Sequence, residues 1–162
     1  MKKLIGLSTA LGLVLAGLFS GGASADAKNY NGSNCLAFAG DGKRFSYSNI
    51  YNTSSTTNLR VDCLGTKDAG SIKNAYIEVR DLSSAEDVSC TLVSHYNEIG
   101  KTGGRLWSQN KKTSGINSNW VRLSYSGLGA AANGHYYFGC SVPKRTSNGA
   151  SWIGTYQINE KN

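Results

Sequence analysis

Four cysteines, Cys35, Cys63, Cys90 and Cys140, are the residues whose chemistry the spacing constrains most. They lie 28, 27 and 50 residues apart, whereas a zinc site usually needs close pairs such as Cys-x-x-Cys, so metal binding is disfavoured. An even number of cysteines is typical of disulfides in an oxidising compartment. Because four cysteines allow three pairings, the choice depends on where each thiol points.

The apolar residues alternate in phase with two of these cysteines. Cys90 shares a strand face with positions 88 and 92, and Cys140 shares one with positions 138 and 142. Both thiols should therefore enter the apolar layer, which favours Cys90–Cys140 and leaves Cys35–Cys63. We therefore predict that all four cysteines form structural disulfides that stabilise the fold.

The residues that could perform catalysis do not form a recognisable pattern. His95 and His135 have no G-x-S-x-G or H-E-x-x-H motif beside them and are interpreted as surface strand residues. Glycoside hydrolysis needs two facing carboxylates, but no spacing selects a pair from Asp62, Glu78, Asp81, Glu86, Asp87 and Glu98. We therefore assign no catalytic residue, no cofactor and no metal, and an enzyme is disfavoured without being excluded.

Aromatic side chains offer a second kind of chemistry, because the chain has three Trp and nine Tyr. A flat aromatic ring can stack on the C–H face of a sugar. Trp107, in the polar connection at 97–119, and Trp120, where a strand begins, are the leading candidates for ligand binding, followed by Tyr125 and Trp152. The alternative at each position is packing within a β-sheet core.

The first 25 residues resemble an export signal. Lys2 and Lys3 precede an apolar stretch at 4–19, and Ala23-Ser24-Ala25 supplies the small residues that signal peptidase requires. We expect a signal peptide at 1–25, cleavage near Ala25, and a single secreted or periplasmic domain at 26–162 with no membrane span. Cleavage leaves 15 basic and 10 acidic residues, and these are too dispersed for a nucleic-acid-binding stripe.

The remaining chain has the pattern of strands rather than helices. Apolar residues alternate with a period of two at 44–51, 58–64, 75–80, 87–94, 120–125 and 136–142, and 152–158 forms a last strand. Polar turns rich in Gly, Asn and Ser separate these segments. We predict an all-β fold: one antiparallel β-sandwich, jelly-roll or immunoglobulin-like, with about seven or eight strands and two disulfides.

Several segments together resemble a group of small secreted bacterial proteins. The segments are EVRD at 78–81, VSCTL at 88–92, WVRL at 120–123 and NGHYYFGCSVP at 133–143, with VDC at 61–63. The resemblance implies secretion, a bacterial source and a β-sandwich with two disulfides. It carries no catalytic residues.

Three classes of function remain. The favoured class is a secreted, non-enzymatic binding or adhesion module for an extracellular or envelope polysaccharide. The first alternative is a structural subunit of an extracellular assembly, with other copies of the chain as partners. The second alternative is a small secreted hydrolase or an enzyme inhibitor.

Overall fold

A computed structural model describes residues 27–66, 70–96, 105–129 and 134–161. The expected signal peptide at 1–25 and its cleavage site lie outside these residues. Within them the chain forms eleven β-strands and one short 3-10 helix, η1 (Gly32–Asn34). The strands are β1 (Ala27–Tyr30), β2 (Cys35–Ala39), β3 (Lys43–Ser46), β4 (Asn49–Asn52), β5 (Leu59–Gly65), β6 (Ile72–Asp81), β7 (Ser89–Tyr96), β8 (Arg105–Lys112), β9 (Asn117–Tyr125), β10 (His135–Val142) and β11 (Trp152–Glu160). None of the described segments is a helix of the length and apolarity needed to cross a bilayer.

The strands form two antiparallel sheets. One has the order β3-β4-β11-β6-β9, with β1 also paired to β11, and the other has the order β2-β5-β10-β7-β8. β4 pairs with β11 at Trp152 and Ile153, and β1 pairs with it at 156–159, so β1 and β4 share one edge of β11. The predicted all-β, antiparallel architecture with two disulfides is confirmed.

The core lies between the two sheets and consists of inward-facing side chains, which alternate with outward-facing ones along each strand. The positions that alternation placed inside are almost completely buried: Val88, Leu92, Leu123, Phe138 and Val142. Phe138 lies at its centre, edge-on to Tyr125 and Tyr156, with ring centroids 5.2 and 5.9 Å away. Residues on either side of these positions must therefore face outward, and this fixes the two solvent-facing surfaces of the sandwich.

The disulfides are Cys35–Cys63 and Cys90–Cys140, the pairing that alternation favours. Each bridge joins two directly opposite residues of neighbouring strands, β2 with β5 and β7 with β10. All four cysteines are buried. The bridges thus lie on the inner face of the five-stranded sheet and reinforce its strand pairing.

The described residues form more strands than the sequence-based expectation, and three segments account for the difference. The alternating run at 44–51 is a hairpin, because the chain turns at Tyr47 with a φ of 53° and continues as β4. The polar connection at 97–119 contains β8, an edge strand paired with β7. The segment before the first predicted strand adds β1 and β2, so that eleven strands are described instead of seven or eight.

The end of β6 is held by a buried carboxylate. Asp81 accepts hydrogen bonds from the backbone N–H groups of Ser83 and Val88, at 3.0 and 2.9 Å, and from the Ser151 hydroxyl at 3.0 Å. A buried charge needs such partners. Asp81 therefore ties the connection after β6 to the start of β11, next to the outward-facing residues Arg80 and Trp152.

Candidate functional site: an aromatic sheet face

The outer face of the six-stranded sheet collects aromatic and arginine side chains. We define the aromatic face as Tyr51, Tyr76, Trp120 and Trp152, together with Arg80 and Arg122. Each of these residues alternates with an inward-facing residue of the core, for example Trp152 with Ile153 and Arg122 with Leu123. The sheet, rather than a loop, therefore positions the whole set.

A stacked pair of rings lies at the centre of one row of this face. Tyr51 on β4 and Trp152 on β11 are directly opposite, with ring centroids 4.0 Å apart and planes inclined by 18°. The same register places Arg44 of β3 beside Tyr51 and Arg80 of β6 beside Trp152. The row therefore presents two stacked aromatic rings between two arginines.

Trp120 reaches this face from the edge strand β9. Between Ile153 and Tyr156 the register slips, so that Gly154 and Thr155 together oppose Glu78 of β6 in a β-bulge. The Trp120 indole covers Gly154, where an added Cβ would lie 2.8 Å from ring atom Cζ3. Trp120 nevertheless stays 46% exposed, which leaves part of its ring surface accessible to a ligand.

A polar network fixes the side chains between the aromatic rings. Glu78 accepts hydrogen bonds from Arg122 Nη2 at 2.7 Å and from the Thr155 hydroxyl at 2.6 Å. These two contacts, with that from Thr155 the larger, hold the pKa of Glu78 below its usual value. The Arg122 guanidinium also lies over the Tyr76 ring, 3.9 Å from its centroid.

Arg80 differs from Arg122, because part of its guanidinium has no partner. Its Nε atom is buried and finds no hydrogen-bond acceptor among the described residues. A buried donor without a partner carries a free-energy cost.

Two of the four aromatic candidates from the sequence lie elsewhere. Tyr125 is 3% exposed, and its hydroxyl donates to the Cys90 carbonyl at 2.8 Å, so the ring belongs to the core. Trp107 lies in β8, opposite the buried Ser94, and its half-buried indole packs on Gly129. Neither ring joins Trp120 and Trp152 on the aromatic face.

The two histidines meet on the opposite side of the sandwich. His95 and His135 are directly opposite on β7 and β10, with ring centroids 5.3 Å apart. The sequence predicts surface positions for both, but it does not predict that they are neighbours. Over the described ranges, no group of three or more His, Cys, Asp or Glu side chains is arranged to hold a metal ion.

The acidic candidates are dispersed. Glu78 lies between the side chains of the aromatic face, Asp81 is the buried anchor described above, and Asp87 pairs with Lys112 at 3.4 Å. Glu86 accepts a hydrogen bond from the Asn58 side chain. Asp62 lies on the outer face of the five-stranded sheet, and Glu98 lies outside the described residues. The five described positions do not surround one cleft.

Five residues of the site were not identified from the sequence: Tyr51, Tyr76, Arg80, Arg122 and Gly154. Tyr76, Arg80 and Arg122 alternate with core residues, so their outward direction could have been read from the pattern of two. The direction of Tyr51 could not, because the chain turns at Tyr47 within the alternating run at 44–51. The common location of these residues depends on the strand order, since β4, β11 and β6 are far apart in the chain. Gly154 lies two residues after Trp152, and its position beneath the Trp120 ring depends on the β-bulge in β11.

No protein-family model matches this sequence, and no curated protein is significantly similar to it. Among solved structures, the chain is similar to a family two carbohydrate esterase from Cellvibrio japonicus, with 6% identity and a TM-score of 0.50. That alignment covers 85% of this chain but 34% of the esterase, so the chain spans about a third of that protein. A second similar structure is TmCBM61 in complex with β-1,4-galactotriose, with 9% identity, a TM-score of 0.41, and coverage of 83% of this chain and 88% of that one. At such identities the first likeness concerns the fold alone.

Proposed function

We propose that this protein is a secreted, non-enzymatic module that binds an extracellular or envelope polysaccharide through the aromatic face. The observation that carries the proposal is the placement of the Tyr51–Trp152 stack and the exposed Trp120 on one sheet face. A shared sandwich fold does not by itself select a ligand. The argument therefore rests on the side chains of this face.

The chemistry of the face suits a chain of sugar rings. Aromatic rings fixed on strands offer apolar surface for the C–H faces of pyranoses without a large loss of conformational freedom on binding. Arg80 and Arg122 lie beside these rings and can donate hydrogen bonds to sugar hydroxyls. Stacking would supply the affinity, and the arginines would orient the chain.

Secretion is part of the same proposal. The expected signal peptide at 1–25 supports export, and the two buried disulfides suit an oxidising compartment. A polysaccharide outside the cytoplasm or in the envelope is then a ligand that the mature domain would meet.

Affinity electrophoresis of residues 26–162 in gels containing soluble polysaccharides tests the proposal. The panel consists of β-1,4-galactan, arabinoxylan, hydroxyethyl cellulose and an anionic pectin. We expect at least one polymer to retard the wild-type protein, and Trp120→Ala and Trp152→Ala to restore free migration. Tyr47→Ala is the matched control, because Tyr47 is a fully exposed aromatic residue in the β3–β4 turn.

The salt dependence of binding separates stacking from charge. If stacking supplies the affinity, retardation should change little between low and moderate salt. A steep decrease with salt would instead assign the affinity to Arg44, Arg80 and Arg122. Retardation that persists in both tryptophan variants would contradict the proposed face.

A further inference from the structure

The sheet opposite the aromatic face carries a groove of its own. It lies on the outer surface of the five-stranded sheet and has a volume of about 290 Å³. We call it the Gly139 groove, and its lining includes Phe38, Arg60, Asp62, Thr91, Tyr137 and Gly139. This volume is near the lower end of the range for small-molecule sites, about 300–1,000 Å³. It can accommodate one or two sugar rings of a chain.

Gly139 creates the floor of the groove by lacking a side chain. Its neighbours Asp62 and Thr91 face it directly across the flanking strands β5 and β7. An added Cβ would lie 3.5 Å from Asp62 Oδ1 and 3.6 Å from Tyr137 Cε2, which are ordinary contact distances. A side chain at 139 would therefore occupy the groove without colliding with its walls.

The groove contains two charged side chains that have no partner among the described residues. Within the described part of the chain, the side chains of Asp62 and Arg60 form no hydrogen bond or ion pair, although they are two residues apart on the same face. Partial burial raises the pKa of Asp62 above its usual value, and no donor among the described residues offsets that effect. A half-buried carboxylate kept without a partner lowers stability, and this is a feature of ligand sites.

The walls add aromatic surface to these polar groups. Phe38 on the edge strand β2 is 62% exposed, and the Tyr137 ring borders Gly139. Burial and then the charge of Asp62 raise the pKa of the Tyr137 hydroxyl, so this group remains a neutral donor near neutral pH. The groove therefore combines an acceptor, two kinds of donor and two apolar rings.

We propose that the Gly139 groove is a second sugar-binding site, which makes the protein bivalent and able to cross-link polysaccharide chains. The second site rests on the proposed function for its ligand class, because the same chemistry of stacking and hydroxyl recognition is present on both faces. Asp62 accepts hydrogen bonds from two neighbouring hydroxyls of one sugar, Arg60 donates to a third oxygen, and Phe38 or Tyr137 covers the ring. Since the two faces lie on opposite sides of the sandwich, two separate chains can be held at once.

The two sites are tested separately by recording ¹H–¹⁵N spectra during titration with methyl β-glucoside, methyl β-galactoside and N-acetylglucosamine. We expect saturable shifts at the amides of Asp62, Thr91 and Gly139 with at least one of these sugars. The shifts should persist in the Trp120→Ala/Trp152→Ala variant, and Asp62→Asn should weaken binding at the groove at least tenfold. Gly139→Val should abolish it, with Ser108→Val on the same sheet as the matched control.

Bivalency is tested by light scattering with the polysaccharide that retards the protein most. The wild-type protein should increase scattering to a maximum and decrease it again at excess protein, whereas Gly139→Val should bind without this maximum. Shifts confined to the aromatic face, or groove shifts unchanged by Asp62→Asn and Gly139→Val, would overturn the second site and leave the proposed function intact. Shifts confined to the groove would overturn the proposed role of the aromatic face, and bivalency with it.

Discussion

The indole of Trp120 lies directly over Gly154, on the strand two places away in the same sheet. A Cβ at position 154 would be 2.8 Å from ring atom Cζ3 and 3.1 Å from Cη2. The bulge at 154–155 and the absence of a side chain on Gly154 thus create the space that the Trp120 ring occupies. The Trp120 indole therefore packs against β11, two residues along that strand from Trp152.

Gly154→Ala should move the Trp120 ring and weaken polysaccharide binding by about 1 kcal/mol, or about fivefold. The atoms nearest to the added methyl belong to the far end of a half-exposed side chain, so the ring can tilt away. The free energy of unfolding should change by less than about 1 kcal/mol, because reduced freedom of the unfolded chain offsets the displacement. Tryptophan emission and a binding titration measure the two effects.

Gly139→Ala is the control for the emission change, since its methyl makes ordinary contacts on the other sheet. Unchanged tryptophan emission in Gly154→Ala would mean that Trp120 does not rest on Gly154.

Phe138→Ala should lower the free energy of unfolding by about 3–5 kcal/mol, the usual cost of removing a buried phenylalanine. Phe138 is fully buried between Tyr125 and Tyr156, where the surrounding rings cannot easily close the cavity. Phe38→Ala removes the same group from an exposed position and should change stability by about 0.5 kcal/mol or less. Urea unfolding measures the free energy of unfolding of both variants. Equal losses would refute the assignment of Phe138 to the inward face of its strand.

Asp62→Asn should increase stability at pH 7. Since the pKa of Asp62 is higher in the folded protein than in the unfolded chain, ionisation of this carboxyl opposes folding. That cost is fully present above the folded-state pKa and disappears as the pH falls below the unfolded value of about 3.9. The advantage of the variant in urea unfolding should therefore shrink between pH 7 and pH 3.

A variant less stable than wild type at pH 7 would mean that Asp62 has a stabilising partner. In that case the groove would not contain an unused carboxylate.

Removing either disulfide should cost a large part of the net stability. The loops closed by Cys35–Cys63 and Cys90–Cys140 span 28 and 50 residues. The loop-entropy relation gives about 3.5 and 4 kcal/mol for them. Urea unfolding of the Cys35→Ala/Cys63→Ala and Cys90→Ala/Cys140→Ala variants measures these costs, and a loss below about 1 kcal/mol for both would contradict their stapling role.

The sequence predicts the sandwich well because its core strands alternate cleanly. Val88 to Leu92 and Phe138 to Val142 reveal both the buried face and the Cys90–Cys140 pairing. The alternation of residues does not predict the hairpin at 44–51. There Tyr47 adopts a left-handed conformation, which tyrosine rarely takes, and the chain turns back. The alternation also fails at β8, where an edge strand has too little apolar character to be distinguished from a loop.

The candidate site is less predictable than the fold, because it depends on which strands are neighbours. Trp120 and Trp152 are candidates from the sequence alone, but their shared face follows from β6 lying between β9 and β11. The Tyr51–Trp152 stack requires β4 to pair with β11 across about a hundred residues of chain. The local alternation of residues contains no information on which distant strands pair with each other.

The most direct test of polysaccharide binding at the aromatic face is the affinity of the Trp120→Ala/Trp152→Ala variant, measured by isothermal titration calorimetry with the polymer selected by electrophoresis. If each ring contributes about 1–3 kcal/mol, the affinity should fall by about 30-fold or more, while Tyr47→Ala should match wild type. Near-ultraviolet circular dichroism and urea unfolding verify that the variant is folded. A folded double variant that binds within about twofold of wild type would contradict the assignment of this face as the binding site.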